Sequence, residues 1–308
     1  MSNLKFKNQT GFYRGKVRDV YSIGEDLLVM IASDRISAFD VILPRPIPFK
    51  GQVLNQIASH MLEATRDIGS NWLLATPAPT VSIGKKCVPF KIEMVVRGYL
   101  SGHAWRTYKS GERLLCGVEM ADRMNENDQF VTPIITPSTK AAKGHDEDID
   151  AKTIVESGLA SKDEWTKLCM LALQLFERGT QIAAERGLIL VDTKYEFGKI
   201  GNEIYLMDEV HTPDSSRYFF SAGYNERQLR GERQPQLSKE FVREWLIENN
   251  YMGKEGQGVP AMSDHWVETI SKRYIELYEK VIGRTFKPEA LSQEELFNRT
   301  AVALQQIQ

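Results

Sequence analysis

The chain has 308 residues, 42% of them apolar, with 39 basic and 41 acidic side chains and a net charge of −2. That length and apolar content support a substantial core in two lobes or one large α/β unit, and the near-neutral balance excludes a globally basic nucleic-acid binder and gives no pull toward acidic membranes. Cys87, Cys116 and Cys169 are far apart and odd in number, so they form neither a disulfide framework nor a metal spacing; they are expected to be small buried thiols. No run approaches the ~20 apolar residues of a membrane span, and the first residues carry no apolar signal region. The expectation is a cytoplasmic globular protein without membrane or nucleic-acid partners.

In chain order, "GFYRGKVRDVYSI" (11–23) alternates like a strand around a central glycine, and "DLLVMIA" (26–32) follows a Gly-Glu-Asp turn. A glycine inside a strand marks close approach to the backbone. With Arg14, Lys16 and Arg18 on one face, this segment suits phosphate, although it matches neither the Walker pattern nor G-x-G-x-x-G. "ASDRISAFD" (32–40) crowds Ser33, Asp34, Arg35, Ser37 and Asp40 at a strand exit. Val53, Leu54, Ile57, Met61 and Leu62 repeat at helical spacing and predict a helix over 51–65. "NWLLAT" and "VPFKIEMVVRGYL" read as strands. The second ends on Arg97, a candidate anion anchor because guanidinium binds phosphate bidentately, followed by Ser101, Gly102 and His103. Residues 110–160 are polar and read as irregular, and "TPSTKAAKGHDEDI" (136–149) has the composition of a loop closing over anions.

A helix is expected at about 161–186, with Ser161 as N-cap and Leu168, Leu171, Ala172 and Leu175 on one stripe. "LILVDTKYEFG" (188–198) then begins as a buried strand and places Asp192, Lys194 and Glu196 at alternate positions, hence on one face. After a turn-like "KIGN", "EIYLM" reads as a returning strand, so a hairpin brings Asp208 and Glu209 back beside that cluster; a one-residue slip would turn Asp208 to the other face. "DEVHTPDSSRY" (208–218) adds Asp214, Ser215, Ser216 and Arg217. Three tail helices follow, starting near Ser238, Ser263 and Ser292, with aromatic stripes that read as core.

Taken together and in this order, GKVRDVY, SDRISAFD, EMVVRGYLSGHAW, GHDEDI, LILVDTKYEFG and MDEVHTPDSSRY resemble the phosphoribosylaminoimidazole-succinocarboxamide synthase (SAICAR synthetase) family of purine biosynthesis. The resemblance runs from about residue 11 to 220 and implies an α+β, two-lobed fold related to ATP-grasp enzymes and kinases, with antiparallel sheets, flanking helices and a helical tail. The lobes would be a β-rich nucleotide-binding part (1–97) and an α/β part with substrate loops and a metal-binding hairpin (98–308). It implies ATP-dependent joining of L-aspartate to the carboxylate of carboxyaminoimidazole ribonucleotide, through an acyl phosphate, by a monomer or small homo-oligomer. Glu196 and Asp208 match the family's Mg²⁺-binding positions, and Lys194 and Asp208 its catalytic ones. Gly15, Lys16, Val17, Arg18, Glu93 and Met94 would join Lys194 and Asp208 around ATP. Asp34, Ser37, Arg97, Ser101, His103, Asp214, Ser215 and Arg217 would face the ribonucleotide; shorter members carry serine at the His103 position. Lys140, Lys143, His145 and Asp146 resemble the segment that closes over aspartate or the ribonucleotide carboxylate. Two other readings of these residues are a small-molecule kinase, which would need no amine substrate, and a nucleotide-binding protein without turnover.

Overall fold

A computed structural model describes residues 4–140, 146–254 and 256–307. Lys143 and His145 lie outside the described residues. Two antiparallel sheets organise the chain. The first holds five strands in the spatial order Gln9–Arg14, Arg18–Ile23, Leu27–Ala32, Val81–Lys85 and Leu73–Ala78. The second holds seven, ordered Gln129–Ile135, Val88–Tyr99, Leu188–Ile200, Ser216–Phe220 and Gln236–Leu237, with Ser138–Thr139 added to Val88–Tyr99 and Glu203–Met207 to Leu188–Ile200. Among the described residues no helix is long and apolar enough to cross a membrane.

Local chemistry accounts for the elements. Lys162–Glu185 opens on a capping box in which Ser161 Oγ accepts from the Glu164 N–H and Glu164 answers to the Ser161 N–H; its Leu168, Leu171, Ala172, Leu175 and Phe176 are buried against the second sheet. Lys50–Ala64 buries Val53, Leu54, Ile57 and Met61. The tail helices are Glu240–Glu248, Asp264–Ile282 and Gln293–Ile307, and the aromatic residues of the first two pack together, Phe241 and Trp245 against Trp266. The last helix turns back to the first sheet: Leu304 is buried with Tyr21, Val29 and Ile83, and Phe297 stacks on Phe6 at 5.4 Å. Position 97 falls inside the strand Val88–Tyr99, so a boundary drawn there cuts a strand, and the final helix belongs by packing to the first sheet.

Three expectations change. The single strand expected over 11–23 is a hairpin, Arg14 pairing with Asp19, and Gly15, Lys16 and Val17 form its turn; Lys16 therefore does not share a strand face with Arg14 and Arg18. The supposedly irregular 110–160 contains the edge strand Gln129–Ile135 and the helix Ala151–Glu156. That strand exposes most of its side chains and is interrupted by a register shift, so it has no apolar alternation to read. Cys116 and Cys169 are half-buried; only Cys87 of the three is buried.

Gly179 lets the long helix press on the loop that follows the hairpin. A Cβ there would lie 1.9 Å from His211 Cε1, and His211 is fully buried with its Nε2 2.6 Å from the Tyr195 hydroxyl. Gly179→Ala is expected to cost about 1–3 kcal/mol by overpacking, read as a lower urea midpoint with an unchanged m-value; an unshifted midpoint would mean that the ring swings clear at no cost.

Candidate active site

Register builds the site. Across the pair Val88–Tyr99 and Leu188–Ile200, Arg97 stands opposite Asp192 and Glu93 opposite Glu196. Opposed residues project to the same face, so Glu93, Arg97, Asp192, Lys194 and Glu196 all line one cleft of about 880 Å³. Lys194 Nζ donates to Glu93 Oε1 at 2.6 Å and to Glu196 Oε1 at 2.9 Å, and Lys140 pairs with the other Glu196 oxygen. Burial pushes the Lys194 ammonium down, but Glu196 and Glu93 outweigh it and hold the group well above its ordinary range. For Glu196 burial is outweighed by Lys194 and Lys140, which hold it at about 2, whereas burial wins at Glu93 and raises it. Lys194 is therefore a fixed cation at neutral pH and no proton acceptor.

The other end of the cleft is cationic. Arg97 and Arg217 share Asp192 Oδ2 at 3.3 and 2.7 Å, Arg97 Nε donates to Thr136 at 2.8 Å, and Arg217 Nη2 donates to Glu240 at 3.1 Å. Gly102, at φ 58°, keeps the backbone clear of Arg217, whose Nη2 a Cβ would approach to 2.5 Å. His103 lines the cleft with its Nε2 2.7 Å from Asp148 Oδ2. Arg106, Lys239 and Arg243 complete this wall. Ser101, buried, lines a neighbouring cavity of about 760 Å³ that shares Arg106 and Arg217 with the cleft.

Other sequence candidates are placed as follows. Lys16 lines the cleft and pairs with Asp40. Arg18 crosses from the first sheet to Asp208 at 2.8 Å and Glu209 at 2.6 Å. Asp208 follows the hairpin strand at φ 56°, within electrostatic reach of Glu196 and Lys194, and burial raises its carboxyl despite Arg18. Asp214 and Ser215 line the cleft, but Asp214 is saturated by Lys50 at 2.8 Å, Tyr274 at 2.5 Å and Lys239 at 3.5 Å. Asp146 also lines the cleft. Asp34 accepts from the Gly51 N–H at the start of a helix, Ser37 is buried in a two-residue strand, and Met94 points into the core. The crowding at 32–40 is a brace: Ser33 Oγ donates to the Val17 carbonyl, and Arg35 donates to the Gly15 and Lys16 carbonyls, fixing the hairpin turn.

Glu196 and Asp208 offer two hard oxygen donors, and among the described residues no group of three or more His, Cys, Asp or Glu side chains converges to hold a metal. Mg²⁺ commonly takes one or two carboxylates with phosphates and water, so this donor set fits a metal–nucleotide better than an all-protein cage. A family model described as SAICAR synthetase matches residues 11–258, and the chain is 61% identical over 295 residues to phosphoribosylaminoimidazole-succinocarboxamide synthase of Cytophaga hutchinsonii, covering 96% of this chain and 95% of that one.

The chain belongs to the SAICAR synthetase family.

The corresponding synthase of Bacteroides thetaiotaomicron is 60% identical over 292 residues, 94% of this chain and 93% of the relative. The SAICAR synthase of Saccharomyces cerevisiae, solved in complex with SAICAR, matches at TM-score 0.76 and 32% identity, over 92% of this chain and 99% of that one. As a member of the SAICAR synthetase family the chain is an enzyme of purine biosynthesis, a ligase. The resemblance carried by six motifs is confirmed. What the motifs missed are Arg106, Lys239 and Arg243. Arg106 follows His103 by three residues on one helix, and Arg243 lies four after Lys239 at the start of a tail helix whose apolar stripe alone was read.

Glu196 and Glu240 are each held at about 2 against an ordinary 4.5 by flanking cations that outweigh burial. A carboxylate depressed on folding gives its full stabilisation above the unfolded value and loses it as pH falls through the folded one. Between pH 4.5 and 2, Glu196→Gln and Glu240→Gln should lose stability less steeply than the wild type in urea unfolding. Parallel slopes would refute the depression.

Proposed function

We propose that this ligase joins L-aspartate to the carboxylate of carboxyaminoimidazole ribonucleotide, giving SAICAR, ADP and phosphate, through an acyl phosphate. The observation that carries the reading is the charge layout of one cleft, with the Lys194–Glu93–Glu196 cluster on one side and the Arg97–Asp192–Arg217 fork on the other. The yeast relative's complex with SAICAR supports the ribonucleotide assignment. In the first step a carboxylate oxygen of the ribonucleotide attacks the γ-phosphorus and ADP leaves. In the second the aspartate amine attacks the acyl carbon, the bond to phosphate breaks, and the amine gives up a proton.

Lys194, locked in its charged form, faces the developing phosphoryl charge. Lys16 and the Val17 N–H of the hairpin turn, with Arg18 behind them, take the nucleotide phosphates, Gly15 shaping the turn with its own N–H donated to the Arg18 carbonyl at 2.8 Å, and the Glu93–Met94 stretch lies along the adenine. Glu196 and Asp208 would hold Mg²⁺, which when bound neutralises triphosphate oxygens. Arg97 and Arg217 orient the ribonucleotide phosphate as a bidentate pair, with Ser101, His103 and Ser215 beside it. Lys140, paired with Glu196, and Asp146 face the aspartate or the ribonucleotide carboxylate from the cleft wall.

An ADP-release assay with each reactant omitted in turn tests the proposal. Sustained release over many turnovers should require ATP, the ribonucleotide and L-aspartate together; undiminished turnover without aspartate would indicate a kinase or an ATPase instead. Arg97→Ala should raise the ribonucleotide KM by roughly ten- to a hundredfold, as loss of a charged hydrogen bond does, and leave the ATP KM nearly unchanged. An unchanged ribonucleotide KM would remove Arg97 from the phosphate site.

A further inference from the structure

Asp208 adopts φ 56°, a left-handed backbone that few side chains take and that aspartate tolerates better than most. Its carbonyl accepts a hydrogen bond from Trp72 Nε1 at 3.0 Å. Trp72 is buried, and its backbone is committed on both sides: its N–H donates to the Leu206 carbonyl at 2.9 Å and its carbonyl accepts from the Lys85 N–H at 2.8 Å. One residue thus ties the first sheet to the hairpin strand Glu203–Met207 just before Asp208. Gly84 seats the indole, since a Cβ there would lie 2.2 Å from Trp72 Cε3. Arg18 takes Asp208 Oδ1 from the same lobe, so backbone and carboxylate are fixed by two different groups of the first sheet and its approach.

We infer that Trp72 is a positioning residue for Asp208: its indole N–H holds the left-handed turn that aims the carboxylate at the nucleotide phosphates and their divalent cation. The inference rests on the metal role proposed for Asp208. Trp72 is not among the residues that line the cleft, and its indole N–H reaches the site through the Asp208 carbonyl.

The test is Mn²⁺ binding to the protein–ADP complex, followed by electron paramagnetic resonance without turnover. Trp72→Phe keeps an aromatic ring and removes the donor; it should weaken Mn²⁺ about tenfold, as loss of groups that orient metal ligands does, with the ribonucleotide KM unchanged. In an Asp208→Asn background the same change should have no further effect on Mn²⁺, because the two residues act as one unit. Should Trp72→Phe fold poorly, 3-benzothienylalanine at position 72 preserves the ring shape with sulfur in place of N–H. Wild-type Mn²⁺ affinity in Trp72→Phe alongside weakened binding in Asp208→Asn would overturn the positioning role, as would additive losses in the double variant. Undiminished binding in Asp208→Asn would instead overturn the metal assignment beneath it.

Discussion

The pairing of Val88–Tyr99 with Leu188–Ile200 sets Glu93 directly opposite Glu196, and like charges at opposed positions of an antiparallel ladder repel. Lys194 resolves that repulsion because strand periodicity places it two residues from Glu196 on the same face, where its ammonium reaches both carboxylates. The register that permits this is pinned from behind. Tyr195 and Phe197 are buried in the main core, and a slip of one residue would exchange them with Lys194 and Glu196. The charged face is thus held in place by the apolar face, and both belong to one strand. Deleting one member of such a buried set leaves its partners uncompensated, a larger loss than the set's net worth.

A second buried charge set ties the helices to the cleft. Lys50, wholly buried at the start of Lys50–Ala64, and Tyr274, from Asp264–Ile282, both bond Asp214, and Lys239 adds a third partner. Burial raises the Asp214 carboxyl, but Lys239 and Lys50 outweigh it and hold it far below the carboxylate range. With its oxygens taken, Asp214 acts as an anchor for the 214–217 segment that presents Ser215 and Arg217. The same tail helix donates from Ser271 to the Pro48 carbonyl, just before Lys50, so its position and that of the segment are set together.

Elements with strong periodicity were legible in the sequence: the stripe of Lys162–Glu185 and its Ser161 cap, the hairpin of Leu188–Ile200 and Glu203–Met207, and the shared face of Asp192, Lys194 and Glu196. Gly201 and Asn202 make the two-residue turn that fixes the hairpin register, Ile200 opposite Glu203, and Asp208 then leaves the strand through its left-handed backbone. No periodicity argument could supply that last step, because it depends on Trp72, more than a hundred residues away. The strand Gln129–Ile135 was illegible for a different reason: it is an exposed edge whose identity comes from backbone pairing with Val88–Tyr99. A helix-capping carboxylate and a ligand-binding one carry the same sequence signal, and at Asp34 the structure shows the capping contact.

The chain's two ends converge on the first sheet, which explains how that sheet can lend Arg18 and Trp72 to a site built mainly on the second. Phe6 and Phe297 stack beside Tyr21, and Leu304 closes the same small core. Asp264–Ile282 packs along Lys50–Ala64, so the tail grips both the first lobe and, through Tyr274, the substrate segment. Among the described residues, direct backbone contact between the sheets is limited to the short parallel bridge in which Leu206 bonds Ser70 and Trp72. So narrow a joint leaves the angle between the sheets to helix packing, in which Asp264–Ile282 lies both against Lys50–Ala64, seated on the first sheet, and against the second-sheet strand Gln236–Leu237. The helical tail is therefore part of the geometry of the cleft, although two of its residues, Lys239 and Arg243, already belong to the cleft wall by direct exposure.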